Sequence, residues 1–130
     1  MRQYTAVALL FSVVLMLVGC QQVSVRGPGG KEMTLAMPKS LTIAQGQKAI
    51  MTVDIDRKMF ASPVTVSISG LPSGVSVDRS SQTVETDAAT FILKADREAT
   101  LVVNQDVEIK AEGPDNMVAR DYVRLTVKRM

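Results

Sequence analysis

From residue 33 onward the chain alternates apolar and polar positions at period two, in short runs divided by turn residues. Ala49, Met51, Val53 and Ile55 alternate with Lys48, Thr52, Asp54 and Asp56, with Ile50 breaking the pattern. Val64, Val66 and Ile68 alternate with Thr65, Ser67 and Ser69; Val75 and Val77 flank Ser76; Phe91 and Leu93 alternate with Thr90 and Lys94. Val107, Ile109 and Ala111 alternate with Asp106, Glu108, Lys110 and Glu112, and Val123, Leu125 and Val127 with Arg124, Thr126 and Lys128. Shorter runs at 34–36 and 41–43 supply a split first strand. After residue 20 no window carries apolar residues at helical spacing. The pattern predicts an all-β domain over 33–128, a two-sheet antiparallel sandwich of seven or eight strands. Strands that leave one face in water exclude a parallel α/β sheet.

The breaks carry turn chemistry. Leu71-Pro72-Ser73-Gly74 sets Pro second and Gly fourth, as a type I turn prefers. Gly113-Pro114-Asp115-Asn116 again places Pro second, and Ala44-Gln45-Gly46-Gln47 supplies another reversal. A five-residue loop over 113–117 sets Lys110 opposite Arg120, Glu108 opposite Tyr122 and Asp106 opposite Arg124. Val107, Ile109 and Ala111 then face the core with Ala119 and Val123. Asp121 turns inward in that register, which predicts a bulge near it or a place at an open rim.

The first twenty residues differ in kind. A short positive start at Arg2 precedes an apolar run over 6–18, the length of a secretory signal core and short of the ~20 residues that span a bilayer. Residues 20–32 (CQQVSVRGPGGKE) centre on Gly27-Pro28-Gly29-Gly30 and read as a linker, a first edge strand at 23–25 being the alternative.

Composition narrows the chemistry. The 130 residues include no His, no Trp and one Cys, which removes an internal disulfide, a Cys/His zinc site and every His-activated nucleophile. A net charge of +2 is too small for a nucleic-acid footprint. Without Arg2, fourteen basic side chains face thirteen acidic ones, so electrostatic attachment to anionic lipid is not called for.

Leu17-Val18-Gly19-Cys20 resembles the lipobox of bacterial prolipoproteins. The resemblance implies a signal peptide over 1–19, recognised by its peptidase through Leu17, Val18 and Gly19. It implies lipidation of the Cys20 thiol, cleavage before Cys20 and acylation of the new amino group. Two or three acyl chains hold a protein at a membrane where one holds it only marginally. Gln21, rather than Asp, after the cysteine implies sorting to the outer membrane in a Gram-negative envelope.

The segments Pro38-Lys39-Ser40-Leu41-Thr42-Ile43-Ala44-Gln45-Gly46 and Pro63-Val64-Thr65-Val66-Ser67-Ile68-Ser69, continued by Gly70-Leu71-Pro72-Ser73-Gly74-Val75, are similar to bacterial extracellular immunoglobulin-like repeats. That resemblance implies an immunoglobulin-like sandwich over 33–128 acting as an accessory or spacer module. The Trp and paired Cys of antibody-like domains are absent, so the core rests on Val, Ile, Leu and Met with Phe60 and Phe91.

Other chemistries are weaker. Asp54, Asp56, Asp87 and Asp96 lie near strand ends, but no loop has calcium-binding spacing. Met33, Met37, Met51, Met59, Met117 and Met130 read as core and loop residues, not a copper site. Carboxylate pairs have no apolar pocket signature behind them, so catalysis is not expected. With Tyr122 as the one Tyr beyond the signal, stacked-ring glycan binding is disfavoured. Arg57-Lys58 reads as a solvated strand end. The expectation is a non-catalytic, cofactor-free envelope lipoprotein serving protein–protein interaction or envelope structure. It meets the membrane through acyl chains on Cys20 and has a protein partner. The alternative is a small-ligand or calcium-binding lipoprotein using loops at one pole.

Overall fold

The computed structural model describes residues 19–130. Ten strands follow one another: β1 (Cys20–Arg26), β2 (Glu32–Pro38), β3 (Ser40–Ala44), β4 (Lys48–Lys58), β5 (Val64–Ser69), β6 (Val75–Val77), β7 (Ser81–Val84), β8 (Ala88–Ala95), β9 (Val102–Glu112) and β10 (Val118–Lys128). They form two five-stranded sheets, ordered β1-β2-β4-β8-β6 and β3-β10-β9-β5-β7. The apolar positions of the alternating runs point inward from both sheets into one core in a sandwich-like arrangement. Phe91, Met33, Leu35, Met37 and Met51 are its largest fully buried side chains, and among the described residues no polar or charged residue is buried as a whole with them. Four of the six methionines beyond the signal (Met33, Met37, Met51, Met117) are core; Met59 and Met130 are exposed.

Two expectations about the strands need correction. The strands number ten because two edge strands, β1 and the four-residue β7, carry little apolar signal; β7 reads Ser-Gln-Thr-Val and joins β5 through its backbone. The sheets are antiparallel except where β3 lies parallel to β10. Only Lys39 separates β2 from β3. With one residue the chain cannot double back, so it crosses between sheets on its existing heading.

The linker read over 20–32 is instead a hairpin. All seven residues of β1 pair with β2, from Cys20 opposite Pro38 to Arg26 opposite Glu32. Val23 and Val25 pack against the core. Gly27-Pro28-Gly29-Gly30 closes the hairpin, with the Gly27 N–H donating to the Lys31 carbonyl at 2.9 Å and positive φ at Gly29 and Gly30. Lys31 reaches Asp115 of the β9–β10 loop at 2.6 Å, tying two hairpins at the same end.

The β9–β10 hairpin has the expected register, with Lys110–Arg120, Glu108–Tyr122 and Asp106–Arg124 opposed. Asp121 is half-exposed, its Oδ1 accepting the Tyr122 N–H at 2.8 Å, and the bulge lies farther on, between Leu125 and Val127. Inside the loop the tight turn is Pro114–Met117, one residue later than expected, with Asp115 and Asn116 both at positive φ. Two positive φ values define a type I′ turn, which matches strand twist and favours Gly at its second central position. Asn116→Gly removes about 1–2 kcal/mol of left-handed strain and adds about 0.5–1 kcal/mol of unfolded-chain entropy, so it is expected to stabilise the fold by about 1 kcal/mol or less, read from the urea midpoint.

Arg57 is not a solvated strand end. It continues the inward series of Met51, Val53 and Ile55, and its side chain is only 7% exposed. Nε donates to the Ser62 carbonyl at 3.0 Å, Nη1 to Thr86 at 2.7 Å and Nη2 to Val84 at 2.9 Å. A guanidinium offers five donors in a rigid fork. Here it ties the β4–β5 connection to the β7–β8 connection.

Candidate functional site

Cys20, the only cysteine of the sequence, is the first residue of β1 and is exposed. The alternation along β1 puts Cys20, Gln22, Ser24 and Arg26 on the outer face of the first sheet. Two hydrogen bonds fix the start of this strand against the body: the Lys39 N–H donates to the Gly19 carbonyl at 3.3 Å, and Gln21 Nε2 donates to the Tyr122 carbonyl on β10. Gln21 thus reaches across to the second sheet, whose outer strand β3 covers β10 only from Arg124 onward. Beside it lies a polar depression lined by Lys39, Asp106, Asp121, Tyr122 and Arg124. Its cations and carboxylates balance, so it has no strong preference for either sign. Leu17 and Val18 lie outside the described residues.

Gly19 has no structural reason to be glycine. Its φ is not in the left-handed region, and a Cβ there would meet nothing within 4 Å. Gly74 is the opposite case, where φ is +86° and a Cβ would come within 2.6 Å of the Ala99 Cα.

The four edge strands differ in length. β6 has three residues, β7 four, β3 five and β1 seven. Along its outer side β1 offers the longest row of unpaired backbone groups, the feature that strand addition uses.

The acidic positions do not converge. Asp54, Asp56 and Asp87 line one shallow depression on the first sheet, and Arg57 comes within 3.6 Å of Asp87 there. Asp96 sits at the other end of β8, its N–H donating to the Gly74 carbonyl. Among the described residues no group of three His, Cys, Asp or Glu could hold a metal ion. Among them, too, no helix is long and apolar enough to cross a membrane.

The feature missed in the sequence is on the outer face of the first sheet. Ile50 is 66% exposed and lies directly opposite Ile92, itself 38% exposed. The break that Ile50 makes in its alternating run was the signal. Comparison with protein-family models, curated proteins and solved structures found no match for this chain.

Proposed function

We infer that the chain is a bacterial envelope lipoprotein, anchored through Cys20, whose folded part is a non-catalytic immunoglobulin-like module that receives a protein partner along β1. The observation that carries the reading is the position of Cys20. The sequence's only cysteine, preceded by an apolar run and Leu17-Val18-Gly19, stands exposed at the first residue of the first strand. Gly19 adds support, because the fold makes no demand for a small residue there and a peptidase acting between residues 19 and 20 does.

The strand order supports the immunoglobulin-like part. Taking β2, β4, β5, β6, β8, β9 and β10 as A to G, the two sheets read A-B-E-D and G-F-C. That is the seven-strand arrangement of a constant-type domain. On this mapping β1, β3 and β7 are additions at sheet edges. Gln21 beside the anchor favours the outer membrane where the envelope has one.

The test is Cys20→Ala. Lipid transfer to the thiol precedes cleavage in this pathway, so the variant is expected to accumulate as an uncleaved precursor that takes up no fatty-acid label. Label retained by the variant, or normal cleavage, would contradict the reading.

A further inference from the structure

We propose that the outer face of the first sheet, around Ile50 and Ile92, lies against a bilayer surface containing anionic lipid. The inference rests on the lipoprotein reading for its starting point, the anchor at Cys20, and on four separate features of the sheet for its direction.

The first feature is the absence of a tether. Because β1 begins at Cys20 and pairs with β2 along its whole length, no flexible chain separates the acylated residue from the folded body. The domain must therefore touch the membrane with whatever surface surrounds that residue. The second is the side on which the thiol lies. Cys20 shares the outer face with Pro38 on β2, Thr52 and Ile50 on β4, and Thr90 and Ile92 on β8. At a strand spacing of ~4.8 Å, β4 lies only about 10 Å across the sheet from β1.

The third feature is the Ile50–Ile92 pair. Two branched apolar side chains face each other across neighbouring strands on the water side of a sheet whose core positions are already filled. The fourth is the row beside it. Lys48 stands directly opposite Lys94, a like-charge pair that is unfavourable in water, and among the described ion pairs neither lysine has an acidic partner. Apolar side chains next to unpaired ammonium groups suit the boundary between acyl chains and anionic headgroups. The small net charge of the whole chain hides this local arrangement.

The opposite face of the molecule differs. Its like-charge pair, Lys110 with Arg120, has Glu112 at 3.2 Å from Lys110, and its exposed Val118 stands opposite that same glutamate and not another apolar side chain. Its other outward rows are Arg124 with Asp106, Tyr122 with Glu108, and Thr65 hydrogen-bonded to Thr83. On the first sheet itself Asp78 borders Ile92 at the β6 edge, and Asp54 and Asp56 occupy the rows toward the other end. The latter two set a polarity along the face: the end bearing Lys48 and Lys94 lies down, and the end bearing the two aspartates lifts away.

The experiment uses the full chain, purified from membranes and reconstituted into phosphatidylethanolamine–phosphatidylglycerol vesicles. Ile50→Cys, Ile92→Cys and Ser81→Cys, the last on the outer side of β7, each receive an environment-sensitive fluorophore. Spin-labelled lipid supplies the quencher. Emission from residues 50 and 92 is expected to shift to the blue and to be quenched, and emission from residue 81 to do neither. Each lysine near an anionic surface shifts the balance between apposed and lifted states about fivefold, so Lys48→Glu with Lys94→Glu should reduce that ratio by at least ~30-fold. Equal quenching at all three positions, or quenching at residue 81 alone, would overturn the proposal. Intact mass reads the anchor separately: a missing acyl mass overturns the lipoprotein reading, and the quenching pattern still decides the face, since an uncleaved leader also holds the chain at the vesicle.

Discussion

Gly74→Ala is expected to destabilise the fold by about 2–5 kcal/mol, whereas Gly46→Ala should cost only about 1–2. Both glycines take positive φ at the third position of a turn closed by an N–H to carbonyl hydrogen bond, Val75 to Pro72 and Gln47 to Ala44. Each therefore pays the left-handed penalty of an L side chain. They differ in what the new methyl meets. At Gly46 it would approach the flexible ends of Arg97 and Met130 at 3.4 Å or more. At Gly74 it would lie 2.6 Å from the Cα and 3.0 Å from the Cβ of buried Ala99. Backbone cannot swing aside as a side chain can. Moving the β8–β9 connection would strain the bonds that hold it to this turn, Asp96 N–H to the Gly74 carbonyl and Thr100 N–H to the Ser73 carbonyl. Urea unfolding followed by circular dichroism measures both variants, and equal losses would show that the connection yields freely.

These turns show what sequence reasoning reaches. The Gly-Leu-Pro-Ser-Gly-Val segment is legible as a reversal, but the turn closes one residue later than the preference for Pro at the second position suggests. Proline's fixed φ is also at home in extended chain, while glycine's left-handed φ is nearly its own, so Gly74 sets the register. The same slip of one residue occurs at Pro114–Met117, where matching the twist of two long strands selects a primed turn. Strand pairing in that hairpin is legible because a slip of one residue would bury Arg120 and Arg124.

The surroundings of the anchor are less legible, for two physical reasons. Gly27-Pro28-Gly29-Gly30 has the composition of a flexible linker, and local composition cannot say whether flanking residues have a sheet to join. Val23 and Val25 alternating with Gln22, Ser24 and Arg26 carried the strand signal, but a half-buried edge strand needs few apolar residues. Arg57 departs from the solvated strand end that its charge suggests because its place two residues after Ile55 puts it on the inner face, where three backbone carbonyls receive its guanidinium. The outer-face rows of Ile50–Ile92 and Lys48–Lys94 depend on how β4 pairs with β8, a long-range register the sequence does not display.

Leu125→Ala is expected to cost about 2–5 kcal/mol and Thr126→Ala about 1 kcal/mol or less, although the two residues are adjacent. Leu125 is 1% exposed in the core, on the face of β10 that also carries Val123 and Val127. Truncation leaves a cavity between two sheets whose backbones are fixed by their own ladders, so the site can collapse only in part. Thr126 points to the other side, where its hydroxyl accepts the Asn104 N–H at 3.1 Å. That contact belongs to the bulge, because Leu125 pairs with Gln105 and Val127 with Val102, leaving two residues of β9 opposite Thr126. Asn104 takes φ of +53° there, a conformation that Asn tolerates better than most residues. The exposed Asn104 N–H freed by the Thr126 variant can turn to water, which limits the loss. Equilibrium urea melts of the two variants rank them. The reverse order would mean that the bulge, and not the core face of β10, sets the stability of this end of the hairpin.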